Sequence, residues 1–171
     1  MIIGLSGYAG AGKSTAASEI ALYGHARMKF AKPLKDMMRA LLRCQGADVE
    51  TVERMIEGDL KEVPTHFLNG ATPRHAMQTL GTDWGRALIG ESLWVDAAMR
   101  NCPADAVFDD CRFQNEFDAI RERGGIVIEI QRAGVGPING HISEQPPDPD
   151  IIALNDGDED DLRQQIGRLI P

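Results

Sequence analysis

Residues 2–14 read IIGLSGYAGAGKS. Ile2, Ile3, Gly4 and Leu5 form the short apolar run expected of a buried strand, and Gly7 to Ser14 fits G-x-x-x-x-G-K-[ST] at every position. Glycines let the backbone bend so that successive N–H groups converge on an anion. The helix predicted to open near Lys13 adds the positive end of its dipole. Lys13 can then reach β- and γ-phosphates, and the Ser14 hydroxyl is placed to ligate Mg²⁺. Strand, glycine turn and helix in this order predict a nucleoside triphosphate site rather than a plain turn. Gly7, Gly10, Ala11, Gly12, Lys13, Ser14 and Thr15 are its candidate residues.

Outward from this loop, strands and helices alternate. Ala16, Ile20 and Tyr23 predict a helix from Lys13 to Tyr23, with Gly24 as its stop. Ala26, Met28 and Phe30 alternate with Arg27 and Lys29, the period of a strand. Pro33 opens a helix whose apolar stripe is Leu34, Met37, Met38, Leu41 and Leu42. Val49, Val52, Met55 and Ile56 predict another. Thr72 and Pro73 are an N-cap and N1 pair, and Ser92 caps a helix carrying Trp94, Ala97 and Ala98. Between them, Gly81 to Arg86 is expected to break the helix and let backbone approach a ligand.

Ala106-Val107-Phe108, ending in Asp109-Asp110, reads as a central strand. Phe117 and Ile120 mark the helix after it, and Ile126 to Ile130 is a β-branched strand. Residues 133–150 lack periodicity and read as a long loop, the length at which loops are functional lids or disordered. Ile151 to Leu154 is a last strand, and Asp158 caps a final helix with Leu162, Ile166, Leu169 and Ile170 inward. Alternation of this kind predicts an α/β fold, a parallel sheet with helices on both faces.

Composition narrows the function. The chain has 171 residues, 43% hydrophobic and 26% charged, with a net charge of −8. Residues 133–171 contribute −6 of it, from eight acidic residues against Arg163 and Arg168. Proteins that grip nucleic acid carry surplus Lys and Arg, so nucleic acid is excluded as the main partner. No apolar run reaches the ~18–20 residues of a membrane span, and MIIGLSGYAG has no basic leader. Three cysteines without a CxxC pair predict reduced thiols in a cytoplasmic protein.

Three classes of phosphate-loop protein compete. A GTPase switch needs N-K-x-D, which does not occur here. A motor or transporter ATPase needs a larger domain. A kinase for a small acceptor suits the size, given cations for the acceptor and a lid against water. Asp110 and Arg112 stand just after the predicted strand, at the carboxyl edge where parallel sheets present ligands. Either Asp109 or Asp110 can hold Mg²⁺; alternation does not choose between them. Arg74 and Gln78, four apart, share a helical face. Trp84 suits core or ligand, Arg86 suits ligand or solvent, and Lys32 suits a phosphate or an exposed helix start.

The strings FAKPLK (30–35), TPRHAMQTLGTDWGR (72–86), DDCRFQNE (109–116), GGIVIEIQR (124–132) and HISE (141–144), in this order behind the loop, resemble the deoxynucleoside monophosphate kinases of tailed phages. The resemblance spans nearly the whole chain. It implies a P-loop kinase fold similar to adenylate kinase: one domain with a core of about 1–31, 103–131 and 148–171, a helical acceptor-binding insertion at about 32–102 and a short lid at about 132–147. The implied reaction takes ATP, Mg²⁺ and a deoxynucleoside monophosphate to ADP and the diphosphate.

By the same resemblance Lys13, Asp110 and Arg112 are catalytic, with Ser14 and Asp110 toward the metal. Arg74, Gln78, Arg86 and Arg112 are placed toward the acceptor, and Arg132 and Asn155 toward the adenine; Lys32, Gly81 and Trp84 are further acceptor candidates from the residues themselves. His141, Ser143 and Glu144 belong to the lid string without an assigned role. A homodimer is compatible with the family, as is a host cytoplasm if the origin is a phage. One departure stands out: no Lys or Arg occurs from Ala133 to Leu162, where adenylate kinases use lid arginines. A kinase of a non-nucleotide acceptor, similar to phosphomevalonate kinases, and a non-catalytic ATP-binding module are the alternatives.

Overall fold

The computed structural model describes residues 1–136 and 147–170; the HISE string with His141, Ser143 and Glu144 lies outside them. The chain divides into two compact units, Met1–Phe30 with Met99–Pro171, and Ala31–Ala98.

The first unit is a parallel sheet. Strands β1 (Ile2–Ser6), β2 (Ala26–Met28), β3 (Ala106–Phe108), β4 (Ile126–Gln131) and β5 (Ile151–Leu154) lie in the order β2-β3-β1-β4-β5, all parallel. Parallel strands need crossovers, and helices supply them: α1 (Lys13–Leu22) after β1 and α6 (Gln114–Glu122) after β3, while α7 (Glu159–Leu169) follows the last strand and packs on the sheet. The interior strands β1 and β3 are buried along their whole length, which is why they read as unbroken apolar runs. Ile3, Leu5, Ile128 and Ile130 turn to one face, where they pack with Ala16 and Ile20 of α1 and Leu162 and Ile166 of α7.

Two of the sequence-read termini take the expected form. Tyr23 ends α1 and Gly24 follows at φ 90°, while Asp158 accepts from the N–H groups of Asp160 and Asp161 to open α7. The strand expected to run from Ala26 to Phe30 is shorter, Ala26–Met28, and forms an edge of the sheet.

The second unit is helical, with α2 (Lys32–Cys44), α3 (Val49–Ile56), a 3-10 turn at His66–Leu68, α4 (Pro73–Gln78) and the start of α5 (Leu93–Arg100). Its core gathers Leu34, Met38, Leu42, Val52, Met55, Ile56, Met77 and Trp94. Met37, Leu41 and Val49 face solvent, so the stripes read from spacing are narrower than expected. Thr72 caps α4 through the His75 N–H, with Pro73 at N1.

The larger correction concerns Gly81 to Arg86. The helix does not break there: α4 continues into a wide, i→i+5 helix over Thr79–Ile89, long for its type. Packing explains it. A Cβ on Gly85 would meet the Trp94 ring at 2.4–2.6 Å, and one on Gly81 would meet Leu34 at 2.8 Å. Trp94 also donates its indole N–H to the Gly81 carbonyl at 3.0 Å. The glycines make room for side chains of this unit.

Candidate active site

The glycine loop leaves β1 at its carboxyl end and enters α1 at Lys13. Two glycines are demanded by their surroundings. A Cβ on Gly7 would lie 2.3 Å from the Ile130 carbonyl oxygen, and one on Gly12 would lie 2.7 Å from Asn155 Nδ2; both have positive φ. The loop is therefore seated against β4 and the segment after β5. Ala11 turns its side chain into the core, its N–H donates to Tyr8 O at 3.2 Å, and its carbonyl accepts from Asn155 Nδ2 at 2.8 Å.

Lys13 folds its ammonium back over the loop, donating to the carbonyls of Gly7 at 2.7 Å and Tyr8 at 2.8 Å. Burial and the neighbouring Arg112 charge push its pKa below the ordinary value, against the pull of Asp109 and Asp110. Lys13, Arg112, Asp109 and Asp110 thus share one electrostatic neighbourhood. Ser14 is exposed at the start of α1, and Thr15 beside it is half-buried.

The two aspartates after β3 have different surroundings. Asp109 is buried and clamped between cations, Arg27 at 2.7 Å and Lys29 at 3.5 Å. Asp110 accepts from the Phe30 N–H at 2.9 Å. Arg27 and Lys29 were not singled out by sequence; their alternation with apolar residues marked only a strand. Glu116 was missed as well. Buried at the start of α6, it accepts from the backbone N–H groups of Arg112 at 2.7 Å and Phe113 at 3.1 Å, and so shapes the turn that carries Arg112. The D-x-R-F-x-N-E spacing held that signal.

Arg132 is exposed just beyond β4, its carbonyl accepting from Val135. Asn155 is buried at the end of β5, where its N–H donates to Gln131 O at 2.7 Å.

Within the helical unit, Arg74 and Gln78 are exposed on α4, and Arg74 pairs with Glu62. Arg86 donates to the Glu91 carbonyl at 3.2 Å. Lys32 pairs with Asp36 at 2.5 Å. Trp84 is not core: it is 39% exposed, its ring 6.1 Å from that of buried Trp94.

A parallel sheet whose first strand passes through a glycine loop and a Lys-Ser pair into a helix has the architecture of the P-loop kinase fold. The chain belongs to the deoxynucleotide monophosphate kinase family. The family model of that description matches residues 40–166. A protein of Acanthamoeba polyphaga mimivirus bearing the deoxynucleotide monophosphate kinase name is 33% identical over 97% of this chain and 94% of its own length. Among solved structures the chain aligns with dephospho-CoA kinase from Campylobacter jejuni (14% identity, TM-score 0.49, covering 99% of this chain and 95% of that one). It also aligns with shikimate kinase from Aquifex aeolicus (10% identity, TM-score 0.45, covering 99% and 96%). Among the described residues no helix is long and apolar enough to cross a membrane.

Proposed function

We propose that this protein transfers the γ-phosphoryl group of ATP to the phosphate of a deoxynucleoside monophosphate, giving ADP and the deoxynucleoside diphosphate for deoxynucleotide supply. The observation that carries the reading is the seated glycine loop with Lys13 beside Arg112 and the aspartate pair, in a chain of this family.

In the reaction the bond from the β,γ-bridging oxygen to the γ-phosphorus breaks, and an acceptor phosphate oxygen forms the new bond. That oxygen is already anionic near neutral pH, so no general base is needed. The difficulty is repulsion: two unit charges about 4 Å apart repel by ~4 kcal/mol at an effective dielectric of ~20. Lys13 and the loop amides take the ATP phosphates, and Arg112 meets charge on the transferring group. Arg74, Gln78 and Arg86, with Lys32 and Trp84, serve the acceptor, and Arg132 serves the adenine side.

Mg²⁺ fits the residues present. Among the described residues no cluster of three or more His, Cys, Asp or Glu forms a protein cage. Mg²⁺ in such kinases needs only one or two protein oxygens beside water and phosphate. Ser14 at the start of α1 and Asp110 after β3 offer such oxygens. When bound, Mg²⁺ supplies charge neutralisation at the β- and γ-phosphates. Host cytoplasm, phage origin and a homodimer complete the proposal.

A steady-state panel of deoxy- and ribonucleoside monophosphates with ATP and Mg²⁺, read by coupled ADP release, tests it. Release dependent on a deoxynucleoside monophosphate supports the reading. Release with an isoprenoid phosphate alone, or ATP binding without acceptor-dependent release, overturns it.

A further inference from the structure

We infer that Asn155 is a positioning residue that aims the Gly12 N–H into the phosphate cradle, rather than a contact to the adenine ring. The inference rests on the proposed use of the glycine loop for ATP phosphates and names what holds that loop in shape.

Asn155 stands 144 residues from Ala11 in sequence, yet its Nδ2 donates to the Ala11 carbonyl at 2.8 Å, and the bond is buried. In a trans peptide the carbonyl and the following N–H point in opposite directions. Fixing the Ala11 carbonyl toward Asn155 therefore points the Gly12 N–H away from Asn155. Anion-binding loops work by converging such amides, and a peptide flip would replace a donor with a carbonyl aimed at phosphate.

Asn155 is itself well held. Its backbone N–H is bonded to Gln131 O at 2.7 Å, tying it to the end of β4, the strand whose Ile130 carbonyl also seats Gly7. The side chain packs so closely on Gly12 that a Cβ there would lie 2.7 Å from Nδ2. A residue 7% exposed, with its side-chain amide committed to a loop carbonyl, is well placed to shape the loop and poorly placed to read a base.

The test compares ATP with inorganic tripolyphosphate, which has the phosphates and no base. In Asn155→Ala both should bind about tenfold more weakly, by matching factors, as expected for loss of one buried hydrogen bond. The KM for ATP should rise by a similar factor while the acceptor KM is unchanged. Asn155→Asp keeps the size but sets a carboxylate against the carbonyl, so its loss should equal or exceed that of the alanine variant. A loss for ATP with tripolyphosphate unaffected would make Asn155 a base contact and overturn the inference. So would unchanged binding of both ligands, or failure of both variants to fold. If the wild-type protein binds tripolyphosphate but phosphorylates no deoxynucleoside monophosphate, the proposed reaction falls while the role of Asn155 stands.

Discussion

The glycine loop of the sheet unit and the exposed face of the helical unit handle charge in opposite ways. At the loop the groups proposed to meet phosphate are backbone amides, in a segment seated so closely that Gly7 and Gly12 admit no Cβ. On the helical unit the cations sit on long side chains, and two exposed ones are engaged by exposed carboxylates: Arg74 with Glu62 and Arg54 with Asp59. Exposed pairs of this kind contribute about 0–1 kcal/mol, so a phosphate dianion can displace a carboxylate from Arg74 at small cost. One region is shaped before its ligand arrives; the other holds its cations in exchangeable pairs.

The contrast can be broken most directly at Lys13. Lys13→Ala should lower turnover on the order of 10³-fold with the fold intact, as when a preorganised charge-stabilising group is lost. Near-normal turnover would refute its assignment. Gly85→Ala tests whether the helical unit has a rigid point of its own. The added methyl meets the Trp94 ring, so urea unfolding should show a loss of about 1–3 kcal/mol. ATP binding by the sheet unit should survive wherever the variant remains folded. Arg74→Ala should raise the acceptor KM about tenfold, as for a charge-assisted hydrogen bond, and leave the ATP KM unchanged. An equal rise in both would erase the proposed division of roles.

The smallest effect is pH dependent and sits away from both regions. Asp150 accepts from the Val127 N–H at 2.7 Å and pairs with Arg121. Burial would raise its pKa, but these partners hold it below the ordinary 3.8. A depressed folded value means that its contribution is present above pH 3.8 and is lost as pH falls through that lower value. Asp150→Ala should therefore cost about 1 kcal/mol near pH 7 by denaturant titration, and the gap to wild type should shrink in strong acid.

Much of the fold was legible because the signals were local. The G-x-x-x-x-G-K-S spacing, the Thr72-Pro73 start, Asp158 as a cap and the β-branched run of β4 each act within a few residues. The candidate site was legible where a motif named it, as with Lys13 and Arg112. It was not legible at Arg27 and Lys29, whose role depends on Asp109, 82 and 80 positions away. Nor was the wide helix. Gly81 and Gly85 signal a break in any local reading, and only Leu34 and Trp94, arriving from elsewhere in the unit, turn those glycines into packing surface.

By itself the amino-acid order determined the alternation of strand and helix, the glycine loop between β1 and α1, and the family, since short-range spacing, capping chemistry and motif strings are enough for these. Tertiary structure decided that Asp109 meets Arg27 and Lys29, how Thr79–Ile89 winds, and what holds the Ala11 carbonyl. Those outcomes depend on side chains distant in sequence meeting at ångström range, where a single Cβ or a single amide hydrogen tips the balance.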